Sequence, residues 1–343
     1  MIARLVLPLL LAVVAIDASA ADRREILDRI AGDFIVPRYQ ALADATGEQK
    51  KVWDSFCAKP SAAGVDDLQA AFHKVADAWS SIEIVRYGPI SKDFRHERLA
   101  HWPERRNAVS RALESVLRWN EEAILTPKRF AGSSVAGQGV TAMERLLTDV
   151  YKREALAVGG EWSKYCALGR AIAGSQADVS AAVLNEWIGK NGLRESLATA
   201  DENTLREAVT RIATDLLAAY EFVDDLKLGA IMGPELGKSR AAMAEGRRSG
   251  RPTRIIVLNL EAMRALTRIS LDTEDDQVID ALDNAIRMAR DLPPQFATLA
   301  DDPKRRWRLV LLRDMIWSAR NLSQTTIPPA LDITLGFNSL DGD

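Results

Sequence analysis

Apolar residues recur every three to four positions along almost the whole of this 343-residue chain. That is the period of an amphipathic helix. Phe72, Ala76 and Trp79 form one such stripe, and Leu205, Val209, Ile212 and Leu216 form another. Ile279, Leu282 and Ile286, then Leu309, Leu312 and Ile316, continue the pattern toward the C-terminus. Alternation with period two, the mark of a half-buried strand, is not sustained anywhere. Helix starts are predicted at Thr46 with Gln49, Thr199 with Glu202, and Thr273 with Asp276, each spaced like a capping box or its acidic variant. The expected fold is all-α, with a boundary in the Gly-Lys-Asn-Gly region after Ile188. Roughly four helices on each side suit two up-and-down bundles, over residues 21–195 and 196–343.

The first 20 residues break the pattern. Arg4 precedes an apolar run from Leu5 to Ile16 and the small-residue end Ala18-Ser19-Ala20, the layout of a secretory signal peptide. The run is too short for a membrane span, which takes roughly 20 apolar residues. An exported, periplasmic or cell-envelope chain is expected, not one that spans a membrane. Cys57 and Cys166 then read as one structural disulfide, with two buried free thiols as the alternative. The formal net charge of −3, spread over alternating acids and bases, excludes nucleic acid as an expected partner. The basic run Arg247-Arg248-Ser249-Gly250-Arg251 reads as a solvated loop.

Chemistry is sparse. His96-Glu97-Arg98-Leu99-Ala100-His101 suggests a zinc peptidase, but that motif needs two imidazoles four residues apart on one helix face. Here the second comes five residues later, about 140° around the helix. His73, beside Phe72 on a periodic face, reads as a core-edge residue. Gly132 to Gly137 lacks the spacing and the β context of a nucleophile elbow, so no catalytic residue is assigned.

Gly139-Val140-Thr141-Ala142-Met143-Glu144 resembles the GxHxxE signature of the imelysin peptidase family, with Thr141 at the histidine position. Other segments resemble the same family and together cover nearly the whole mature chain. They are 35–39, 78–79 with 86–90, His101 to Arg105, 139–147, the helix of Cys166, 254–260 and the terminal Gly336 to Asp343. The resemblance implies two helical bundles with a cleft between them, to which the motif helix contributes. It also implies a cell-envelope role, as a peptidase or in iron-regulated uptake.

A His and a Glu three residues apart share a helix face and can jointly hold a metal. Thr141 replaces the imidazole with a neutral hydroxyl, a poor ligand for transition metals. A non-catalytic binding protein is therefore expected, for a small ligand, a metal complex or a partner protein of the envelope. The alternatives are a metallopeptidase and an envelope scaffold. Expected contacts are Glu144, Thr141, Arg86, Tyr87, Arg38 and Asn259. The arginines would grip carboxylate or phosphate groups, and the rings would supply apolar walls. Trp79 and Trp102 are read as packing. Metal candidates are Glu144 and, in the tail, Asp341 and Asp343, whose oxygens suit a hard cation such as calcium. A divalent metal or iron is thus a candidate cofactor without a full ligand set.

Overall fold

A computed structural model describes residues 20–149, 162–273 and 276–334. The signal-like segment up to residue 19, the terminal Gly336–Asp343 and the tail candidates Asp341 and Asp343 lie outside the described residues. Among the described residues every regular element is helical, and none is a strand. The principal helices are α1 (Ala20–Arg29), α2 (Val36–Ala58), α3 (Ala62–Ser80), α4 (Val140–Thr148), α5 (Trp162–Ile188), α6 (Glu202–Glu221), α7 (Pro252–Leu271), α8 (Gln277–Arg290) and α9 (Trp307–Ala330). No helix of the described residues is long and apolar enough to cross a membrane.

The helix stripes close as their spacing predicts, but the starts move. Thr46 lies inside α2, where its hydroxyl donates back to the Leu42 carbonyl at 2.8 Å. Such back-bonding satisfies a buried hydroxyl without ending the helix. The true caps are Ser61, Asp201 and Asp276, whose side chains accept from Gly64, Thr204 and Val278 N–H groups. Each cap is worth about 1 kcal/mol. Thr199 instead closes the short helix Leu193–Ala198.

Two π-helical stretches interrupt the ladders, Ile30–Ile35 and Phe222–Gly229. The first runs directly into α2, which carries Pro37, without a backbone N–H, in its first turn. Such bulges recur at functional sites, and the second one bears Lys227.

The buried apolar side chains fall into two clusters. The larger includes Phe34, Trp79, Trp187, Leu216, Met263, Leu282 and Ile316. The smaller includes Trp53, Phe72, Leu113, Phe130, Met143 and Leu168. Helices α2, α3 and α5 feed both, so the partition of the interior does not follow residue 195. The division at 195 stands as a proposal about folding units. Cys57 and Cys166 are bonded, with Cα atoms 5.8 Å apart. The bridge ties α2 to α5 beside the smaller cluster. Closing a loop of 109 residues stabilises by about 4–5 kcal/mol in the chain-entropy model.

Candidate binding cavity

The motif helix α4 is seated by its preceding residues. A Cβ on Gly139 would lie 2.3 Å from the Leu99 carbonyl oxygen and 2.7 Å from that of Arg98, so only glycine permits this approach. Gln138 is fully buried. Its Nε2 donates to the carbonyls of Ser133 and Ala131 at 2.9 and 3.2 Å, and its Oε1 accepts from Arg98 Nε at 2.9 Å. Met143, Leu146 and Leu147 then face the smaller core. The other side of the helix carries Thr141, Glu144 and Arg145 to the wall of a cavity of about 670 Å³.

Glu144 is buried, and its Oε1 accepts from the Ser249 N–H at 2.9 Å and the Ser249 hydroxyl at 2.6 Å. Arg145 donates to Glu104 Oε2 at 2.6 Å and to the Ser110 hydroxyl. Glu104 also accepts from the Val109 N–H at 3.0 Å, fixing the start of helix Ala108–Leu117.

The facing wall is the loop 242–251, which also contributes to the lining. Gly246 and Gly250 adopt φ of 65° and 74°, a conformation that costs other residues free energy. These turns fold the Arg-Arg-Ser segment back, and Arg251 N–H closes on Gly246 O at 2.8 Å. Arg251 is buried; its guanidinium pairs with Asp77 and donates to His73 Nδ1 at 3.0 Å. Burial, reinforced by the Arg251 charge, lowers the His73 pKa, so the ring is the neutral acceptor this bond requires. The basic run is therefore a cavity wall rather than a solvated loop.

A buried ionic cluster stands behind this wall. The Lys227 ammonium lies 2.6 Å from Glu83 Oε1 and 2.7 Å from Glu245 Oε2, and 4.5 Å from the centre of the Phe222 ring. Asn259, fully buried, donates through Nδ2 to Glu83 Oε1 at 2.8 Å and to the Ser80 carbonyl at 2.7 Å. Burial works against the Lys227 charge, but Glu245 and Glu83 outweigh it and hold its pKa above the ordinary value. Burial pushes the Glu245 carboxyl up to about 7, against the pull of Lys227.

The expected contacts thus separate. Glu144 and Thr141 meet in the cavity, joined by Trp79 and Trp102. Asn259 stands behind the wall and positions Glu83. Arg86 and Tyr87 lie outside the lining; their N–H groups both donate to Asp215 Oδ2 at 2.8 Å, while Tyr87 packs edge-on to Trp187. Arg38 covers the Phe34 ring at 3.8 Å and donates to the Phe34 carbonyl; burial lowers its pKa to about 10. His96 packs edge-on against Trp79 at 5.0 Å with Nε2 3.2 Å from the Glu83 carbonyl, and His101 follows the helix that ends at Leu99.

No group of three His, Cys, Asp or Glu among the described residues is placed to hold a metal. Ser249 occupies Glu144 Oε1, and Thr141 offers only a hydroxyl. The residues present do not fit the metal that the motif implies. Sequence reasoning missed Glu83, Lys227, Glu245 and Ser249. The two glycines bracketing Arg-Arg-Ser were the available signal for a built loop.

A model of the imelysin family, peptidase M75, matches residues 35–310, a span that holds the motif helix, the loop and the ionic cluster. The chain belongs to the imelysin family. An imelysin-like protein from Psychrobacter arcticum 273-4 superposes with a TM-score of 0.72 at 20% identity, covering 95% of this chain and 100% of its own. A candidate iron-regulated protein A precursor from Parabacteroides distasonis gives a TM-score of 0.69 at 13% identity, covering 90% of this chain and 96% of its own. At such identities these likenesses speak for the imelysin fold. No curated protein matches the sequence.

Proposed function

We propose that this imelysin-family chain is an exported, periplasmic binding protein that holds a small ligand in the cavity between α4 and loop 242–251, without catalysing a reaction on it. The observation that carries this reading is the direct bonding of Glu144 to Ser249 beside a cavity of about 670 Å³. Ligand sites of proteins commonly enclose roughly 300–1,000 Å³ and combine apolar walls with a few fixed polar groups. Here Trp79, Trp102 and Phe72 supply the rings, and Thr141, Glu144 and the loop supply the polar groups. Peptidase chemistry through the motif asks for a metal-held imidazole at position 141, and a threonine hydroxyl does not replace it. The name of the Parabacteroides distasonis relative suggests iron supply as the setting.

The test is thermal unfolding of the wild type and of Thr141→Trp, which projects a bulky ring into the cavity beside Glu144, in neutral, anionic and cationic small molecules. A ligand that binds only the folded state raises its stability by mass action. The expected result is a class of compound that stabilises the wild type and leaves Thr141→Trp unmoved. Equal shifts in both proteins would place binding elsewhere and end this reading.

A further inference from the structure

Within that reading, we infer that the cavity selects small polyanions, molecules carrying two or more carboxylate or phosphate groups. The inference rests on which charges around the cavity have partners. Arg145 is neutralised by Glu104 and Arg251 by Asp77, while Glu245 shares the Lys227 ammonium with Glu83. Arg105, Arg106, Arg247 and Arg248 also line the cavity, and none of the four makes an ion pair among the described residues, although Arg247 Nε donates to the Ala242 carbonyl at 3.1 Å. Glu144 is the one lining carboxylate that no cation pairs with there, and Ser249 already occupies one of its oxygens.

This excess of positive charge sits in a chain whose formal net charge is −3. It is a local feature, not a reflection of composition. Arg105, Arg106 and Arg248 are exposed at the rim and Arg247 is half-buried, so this field reaches solvent and is weakened by salt. Arginine forks match carboxylate and phosphate oxygens in pairs, which a scattered set of lysines would not do.

Two further observations agree. Burial, together with the neighbouring charges of Arg145 and Arg247, lowers the pKa of Arg248 against the opposing pull of Glu144 and Glu104. The repulsion among the arginines outweighs those two carboxylates, and a bound anion would relieve it. Arg106 and Asn107 adopt φ of 54° and 53°, a left-handed conformation that costs an arginine about 1 kcal/mol or more. This turn, closed by the Ala108 N–H on the Arg105 carbonyl at 3.1 Å, leads into helix Ala108–Leu117 and sets Arg106 at the cavity rim. Strain of this kind concentrates where a ligand is held.

The inference is tested by isothermal titration of the purified protein with citrate and with pyrophosphate, using glucose as the neutral probe. The variants are Arg248→Gln, Arg106→Gln and Thr141→Trp. Citrate, pyrophosphate or both should bind with 1:1 stoichiometry, and affinity should fall with added salt. Each arginine variant should bind at least about tenfold more weakly, the worth of one charge-assisted hydrogen bond. Thr141→Trp should abolish binding. A preference for one anion over the other tells the carboxylate source from the phosphate source.

Binding of glucose that Thr141→Trp blocks, with no anion binding, would overturn the inference and leave the cavity reading intact. Anion binding unchanged in both arginine variants would also overturn it, as a surface effect. Binding of none of the probes would overturn the inference, while the wider thermal-unfolding survey judges the cavity reading separately. The arginine side chains form no ion pair in the fold, so a folding failure is not expected; a melting temperature measured on each variant verifies this.

Discussion

Two sets of polar and charged side chains, one mostly behind the cavity wall and one lining the cavity, are treated in opposite ways. Lys227 and Asn259 donate inward to Glu83, and the Lys227 ammonium is shared between Glu83 and Glu245. Arg105, Arg106, Arg247 and Arg248 reach the cavity and find no carboxylate partner among the described residues. The first set is held by ion pairs within the folded chain. The second makes no ion pair, and an incomplete set of charges is what a binding site leaves for its ligand to complete. The contrast also shows that burial alone does not mark a functional residue: the most deeply buried ions here serve the scaffold.

Removing the centre of the complete set should have the largest effect. Lys227→Met leaves Glu83 and Glu245 without their cation, and breaking a buried pair in this way costs about 3–5 kcal/mol. Urea unfolding measures it. Asn259→Leu should cost about 2 kcal/mol, because Glu83 and the Ser80 carbonyl lose a buried donor. A cost near zero in both would show that the cluster does not hold the fold together. Glu144→Ala, which removes the acceptor linking α4 to Ser249, should cost about 1–2 kcal/mol and speed amide exchange in loop 242–251.

The pH dependence sharpens the same comparison. Burial pushes Glu245 up to about 7 and Asp215 up to about 6, whereas in the unfolded chain both titrate near 4. The groups acting on Glu245 are Lys227, which lowers its pKa, and Glu83 and Glu144, which raise it. Between those values the folded state holds more protons than the unfolded one. The contribution to stability is therefore full below pH of about 4 and is lost as pH rises through about 6 and about 7. Glu186, held low by its hydrogen bond from Arg95, acts in the opposite sense and only at more acidic pH. Glu245→Gln should flatten the upper part of the decline and Asp215→Asn the lower part, read as melting temperature against pH. The smallest effect belongs to the incomplete set: Arg248→Gln should change stability by no more than about 0.5 kcal/mol.

Much of the fold was legible because helix formation rests on a short-range period. The stripes of Leu205 to Leu216 and Leu309 to Ile316 bury as their spacing predicts. Helix starts were less legible, since Thr46 can serve equally as a cap or as a back-bonded residue within a helix, and only tertiary burial decides. The motif gave Glu144 and Thr141, whose helix faces the cavity. Lys227 was hidden because no local pattern marks a lysine as buried, and here a π-helical stretch carries its side chain inward. Arg86 and Tyr87 carried the right chemistry for a pocket, but Asp215 claims their N–H groups away from the cavity. Trp79 and Trp102 turned out to be cavity walls because an indole can pack a core and line its edge at once.

The central claim is that α4 and loop 242–251 act together as the two walls of one anion-binding cavity. Hydrogen–deuterium exchange of the intact protein, with and without millimolar pyrophosphate, tests it most directly. The account predicts slower exchange in residues 104–107, 139–148 and 242–251 together, three segments that line the cavity, with the rest of the chain unchanged. Protection confined to one wall, or located on another surface, would contradict it.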